Sequence, residues 1–220
     1  MNSGELLFWV RGTGLSIAVV IFTFGMLVRL LEIFMLGRRR NLAELRSNGI
    51  GAGLRTLIMR SIPPDRNSMR RSMVTVVAGY GFHIGLLVVI FLLAPHIQLF
   101  ESLFGFGWPA ISTPLVDLFA VVALISLIVL LWHRLTHPVV RYLSTPEDYL
   151  VWAASFLPLL SGYLAYHHLW LPYEWLLVTH ILSVEFMLIL FPFTKLAHAF
   201  TLFIARWYTG VIAGERGVET

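Results

Sequence analysis

The chain contains no cysteine. That excludes disulfides, thiolate-ligated iron–sulfur centres and thioether-attached haem within this subunit, so any redox centre it holds must use other ligands. Charge is scarce as well. Only 13% of the 220 residues are Asp, Glu, Lys or Arg, against 58% hydrophobic. Mean hydropathy is +0.80, far outside the range of soluble domains. The solvent for most of this chain is lipid. Its formal net charge of +4 does not point to nucleic acid, because the basic residues sit in connections rather than on a soluble face with interleaved aromatics.

A spanning helix needs about 20 apolar residues. Five stretches qualify: Ser16 to Leu36, Val74 to Phe100, Pro114 to Leu135, Tyr149 to Trp170, and Tyr173 to Trp207. Residues 1–220 therefore read as one all-α transmembrane domain of five helices. The first span runs into Arg38-Arg39-Arg40 without a small-residue cleavage pattern and reads as retained.

Nine arginines against Glu44 and Asp65 fill the loop at about 37–73, which the positive-inside rule makes cytoplasmic. Parity then puts the N-terminus outside and the C-terminus in the cytoplasm, in a multi-pass protein of the cytoplasmic membrane. Within the loop, Gly49-Ile-Gly-Ala-Gly53 and Pro63-Pro64 read as breaks. Between them, Leu54 to Arg60 reads as a short amphipathic helix for the lipid surface or a partner.

Of the eight histidines, His133, His137, His167 and His168 fall at span ends and read as solvated interfacial side chains. His83, His96, His180 and His198 lie deeper, where ionisable residues are rare and usually functional. His180 and His198 are 18 residues apart, about 27 Å along one helix, and His83 and His96 are 13 apart, about 20 Å. Since the two spans run oppositely, His83 matches His198 in depth and His96 matches His180. Two such cross-helix pairs are what two bis-histidine haems require. Buried histidines also relay protons or bond a carbonyl across helices, but four at matching depths favour haem. Gly79, Gly81 and Gly85 bracket His83 and read either as room for a porphyrin face or as close helix packing.

The motifs Phe82-His83-Ile84-Gly85 and Leu190-Phe191-Pro192-Phe193-Thr194-Lys195-Leu196-Ala197-His198, with His180 upstream, resemble the gamma subunit of respiratory nitrate reductase, a five-helix cytochrome b with two haems. The similarity extends over span order, length and the turn around His137-Pro138-Val139-Val140-Arg141. It implies that His83 and His198 are the axial pair of the cytoplasmic-side haem b and that His180 ligates the outer one. The family's fourth ligand falls at Leu93 here; His96 is the nearby substitute, and Pro95 can adjust the helix locally. Two haems are implied, or one if His96 does not ligate. The family's quinol-site lysine is absent from the third span, Lys195 being the only lysine, so Asp117, Glu101 and Trp108 are the candidates for an outer quinone site.

The resemblance implies an electron-transfer subunit of an oxidoreductase that passes electrons from membrane quinol to a cytoplasmic iron–sulfur partner, docked on the basic loop. The catalytic site for the terminal substrate would lie on another subunit, as in relatives serving heterodisulfide-reductase-like or sulfite-reduction-linked complexes. Lys195, Arg141 and Arg206 are candidates to pair with haem propionates. Glu185 is a candidate acceptor for the second N–H of His180. The rival from another class is a cofactor-free, proton-relaying or transporter-like subunit using Asp117, Glu185 and the histidines.

Overall fold

The computed structural model describes residues 2–36, 44–62 and 66–218. The Arg38–Arg40 triplet and the Pro63-Pro64 pair lie outside the described residues. Along the chain, α1 (Ser3–Trp9) is capped by Asn2 and Glu5, which exchange side-chain to backbone bonds. It passes through a π turn at Val10–Gly14 into α2 (Leu15–Met35). Then follow α3 (Gly49–Met59), α4 (Arg66–Leu92), α5 (Ala94–Phe104), α6 (Thr113–Thr136) and α7 (Pro138–Leu143). The chain continues through α8 (Pro146–Tyr166) and α9 (Tyr173–Leu190), two 3₁₀ turns at Phe191–Phe193 and Lys195–Ala197, and α10 (His198–Glu215). No strand occurs among the described residues.

Among the described residues six helices are long and apolar enough to cross a membrane, ending with Tyr173–Phe193 and Lys195–Glu215, where the sequence predicts five. The extra one arises because Tyr173 to Trp207 is not one helix. Pro192 has no N–H to continue the ladder, and Thr194 is extended at φ −126°, ψ −179°. The expectation that His180 and His198 leave one face of one helix is thereby corrected. The second span breaks too. Leu93 is extended at φ −80°, ψ 127°, and Pro95 sits in the first turn of α5. His83 and His96 are therefore on different helices, and the predicted axial rise between them does not hold.

The chain forms two compact units. The first comprises Met1–Ala18 and Ser72–Met187. Its core is Ala123 and Leu127 of α6 with Leu159 of α8, overlaid by Phe82, Leu86, Val89, Leu124, Trp152 and Phe156. The Trp152 indole N–H donates to the Leu127 carbonyl at 2.8 Å, a cross-helix bond worth about 0.6 kcal/mol in a membrane. Gly81 and Gly85 bring α4 onto α6: a Cβ at Gly81 would lie 2.6 Å from Ser126 Oγ, and one at Gly85 would collide with the Phe119 carbonyl. For these two, helix packing is the reason for glycine; Gly79 faces open space. Ser3 of α1 bonds Glu174 at the start of α9.

The second unit comprises Val19–Arg71 and Leu188–Thr220. Its centre is an antiparallel pair of α3 and α10. Arg46 N–H donates to the Glu215 carbonyl at 3.0 Å, and Ser47 Oγ to that of Gly214 at 2.6 Å. At the other end the Arg206 guanidinium donates to Ser61 Oγ at 3.0 Å. Between these contacts Gly49 and Gly53 face Val211 and Trp207, while Gly210 and Gly214 face Thr56 and Ala52. Two Gly-xxx-Gly faces thus oppose each other, a contact suited to membranes because bare backbone lets helices approach closely. Gly49 to Gly53 consequently opens α3 instead of breaking the chain, correcting the predicted start at Leu54. Elsewhere in this unit, Gly25 of α2 admits the Pro192 ring, 2.6 Å from where a Cβ would stand.

Candidate functional site

The first unit brings His96 and His180 face to face. Their ring centroids are 6.2 Å apart and their planes differ by 20°. The break at Leu93 makes this contact: α5 starts afresh, and the His96 Nδ1 folds back onto the Val89 carbonyl at 2.8 Å. His180 Nδ1 bonds the Pro158 carbonyl at 3.1 Å and lies 3.3 Å from Ser161 Oγ, which in turn bonds Ser183 Oγ at 3.0 Å. Gly162 supplies the space for the ring, since a Cβ there would sit 2.9 Å from Cε1. Glu185 is not the partner of His180.

A carbonyl only accepts, so each Nδ1 carries the hydrogen and each Nε2 keeps its lone pair. Fixing one ring nitrogen on a carbonyl so that the other ligates is the usual support of a metal-bound histidine. With both Nδ1 atoms committed to carbonyls, His96 and His180 would each have Nε2 free to ligate a group that takes two imidazoles. No group of three or more His, Asp or Glu arranged for a metal ion occurs among the described residues. The pair thus offers two ligands, the number a bis-histidine haem takes from protein, and the residues present fit that group.

His83 and His198 belong to the first and second units respectively. Both share the Nδ1 arrangement: His83 bonds the Gly79 carbonyl at 2.7 Å and His198 that of Lys195 at 2.6 Å. In the second unit a cavity of about 1070 Å³ adjoins His198, lined by Arg29 and Glu32 of α2 with Thr194, Lys195 and Thr201. That is at the upper end of ligand-pocket volumes. Lys195, predicted as a propionate partner, lines it, whereas Arg206 is engaged with Ser61. Arg29, 3.4 Å from Glu32, is a cation within the first span that sequence reasoning missed; its place in an apolar run was the available signal.

The predicted quinone-site residues separate. Asp117 accepts from His167 Nε2 at 3.0 Å, so His167 is not the freely solvated side chain expected. Trp108 donates to the Phe91 carbonyl at 2.5 Å and stacks on Phe100 at 5.6 Å. Glu101 is exposed and lies beside Gly107. Among the described residues no hydrogen bond or ring contact joins Glu101 or Trp108 to the Asp117–His167 pair. Glu185 is buried, with one carboxyl oxygen lacking a hydrogen-bond partner. It packs where the π turn ends, 2.8 Å from a Cβ placed on Gly14.

No protein-family model matches the chain, and no solved structure does. A protein of Nitratidesulfovibrio vulgaris, described only as "Protein", is 34% identical over 173 residues, 78% of this chain and 76% of that one. At that identity and coverage, the chain belongs to the same family as the N. vulgaris protein.

Proposed function

We propose that this is the membrane cytochrome b subunit of a respiratory oxidoreductase, passing electrons between quinone and a cytoplasmic iron–sulfur partner. The observation that carries the reading is the His96–His180 pair, with facing rings and both Nδ1 atoms bound to carbonyls. In this reading it holds one haem b, while His83 and His198, each with Nδ1 on a carbonyl, are candidate ligands for a second. Arg29 and Lys195 supply positive charge at the cavity beside His198 for propionates, which need a cation when buried. Bound haem supplies a one-electron carrier. The protein fixes imidazole tautomers, keeps the His96–His180 pair partly shielded from water and presents arginines for docking. The proposed topology is an outer N-terminus and a C-terminus in the cytoplasm, in the cytoplasmic membrane.

The test is a dithionite-reduced minus oxidised spectrum of the purified chain, with haem quantified as the pyridine haemochrome. Close to two haems b per chain is expected. One would leave a single pair in use, to be identified with His96→Ala and His83→Ala. None would sink the cytochrome reading and favour the proton-relaying alternative, which the buried Glu185 carboxyl with an unpartnered oxygen supports.

A further inference from the structure

We infer that His167, held by Asp117, takes the proton from quinol bound where α8 ends beside the start of α6. This rests on the cytochrome reading and adds to it a catalytic residue at the quinol.

His167 caps the C-terminus of α8, and Asp117 lies in the second turn of α6. The 3.0 Å bond joins Nε2 to Oδ1, and the two side chains are 31% and 28% exposed, shielded yet reachable. An acceptor on Nε2 leaves the lone pair on Nδ1, which has no hydrogen-bond partner among the described residues. That is the reverse of the tautomer at His96 and His180, whose Nδ1 atoms are committed to carbonyls. The chain thus prepares two kinds of imidazole, one suited to a metal and one to a proton.

The other titratable groups nearby are Tyr163 and Tyr166 of α8, with ring centroids 4.6 and 5.4 Å from that of His167. His168 follows, stacked on Tyr173 of α9 at 4.6 Å. Tyr166 OH is 3.1 Å from Thr113 Oγ1. The turn after His167 is strained: His168 and Trp170 have φ of 55° and 72°, the left-handed region that non-glycine residues occupy at a cost. The pair is also close to the candidate ligands. Gly162, against which the His180 ring rests, precedes His167 by five residues, about 7.5 Å along α8.

The step balances as follows. A quinol O–H bond breaks and an N–H bond forms at Nδ1, leaving an imidazolium whose Nε2–H stays on the Asp117 carboxylate. The electron would go to the haem b that His96 and His180 would hold, and the proton leaves Nδ1 for water. A second passage with the other O–H completes oxidation to quinone, two electrons and two protons in all. Asp117 is a positioning residue: through the Nε2–Oδ1 bond it fixes the tautomer and the orientation of the ring.

The test uses the haem-loaded protein under anaerobic conditions, with menadiol as reductant of the oxidised form and as ligand of the dithionite-reduced form. His167→Gln is expected to keep the dithionite-reduced spectrum while menadiol reduces the haem about a hundredfold more slowly, the usual scale of a lost general base. Menadiol binding to the dithionite-reduced protein, measured by equilibrium dialysis, should weaken about fivefold, the loss of the hydrogen bond from quinol O–H to Nδ1. Asp117→Asn should lower the maximal rate of menadiol reduction at least about tenfold with the KM for menadiol little changed, because the imidazole loses its tautomer and orientation while the quinol keeps its contacts. Wild-type menadiol reduction in a haem-replete His167→Gln protein would overturn the inference and leave the cytochrome reading standing. An unchanged maximal rate in a haem-replete Asp117→Asn protein would overturn it as well, and carries the test if His167→Gln does not fold. A wild-type chain without haem would overturn both.

Discussion

At the scale of single residues, the histidines sort by what their Nδ1 atoms touch. The four deep ones bond backbone carbonyls, whereas His137 Nδ1 accepts from the Val140 N–H at 3.4 Å and His167 uses Nε2. The four histidines chosen by depth in the hydropathy pattern thus share one Nδ1 arrangement, though His83 and His198 are exposed and His96 and His180 partly buried. The partners were not legible. Asp117 and His167 are 50 residues apart, and a histidine at a span end looks solvated until its helix is placed against another. The same holds for Gly162, whose role is to leave room for His180. Gly162→Ala puts a Cβ into that ring, an overpacking that costs roughly 1–3 kcal/mol. The expected outcome is loss of one haem per chain at unchanged expression, read by the pyridine haemochrome. Full haem content would show that the ring moves without consequence.

At the scale of elements, hydrophobic runs announced where helices lie but not where they stop. Two runs are interrupted from within, at Leu93 and at Phe191–Ala197. In each a proline sits beside an extended residue, and the apolar composition continues across the break. The reverse error occurs in the basic loop, where Gly49 to Gly53 reads as a breaker. Isolated glycines cost a helix about 1 kcal/mol each, and here that cost is offset by contact with α10, invisible in local sequence. Gly53→Leu or Gly214→Leu should separate α3 from α10. Trypsin would then cut after Arg55 and Arg60 at least several-fold faster than in wild type, and unchanged cleavage would argue against the glycine contact as the clamp.

At the scale of the whole molecule, a membrane helical protein follows from composition alone. The number of crossings does not, because α10 is apolar enough to span yet is paired with α3 from the basic loop. The missing cysteines make the question direct, since any introduced thiol is the sole one. Phe106→Cys should react with an impermeant maleimide in intact cells, and Val218→Cys only after permeabilisation. Labelling of Val218→Cys in intact cells would mean that α10 crosses. The pairing of α3 with α10 also has a consequence for biosynthesis. The second unit joins Val19–Arg71 to Leu188–Thr220 across the 116 residues of Ser72–Met187. At 5 to 20 residues per second, α3 waits on the order of ten seconds for its partner to be made. During that interval its glycine face and the exposed Ile50, Leu54 and Ile58 are what the insertion machinery or the lipid surface must shelter, so α10, made later, releases α3.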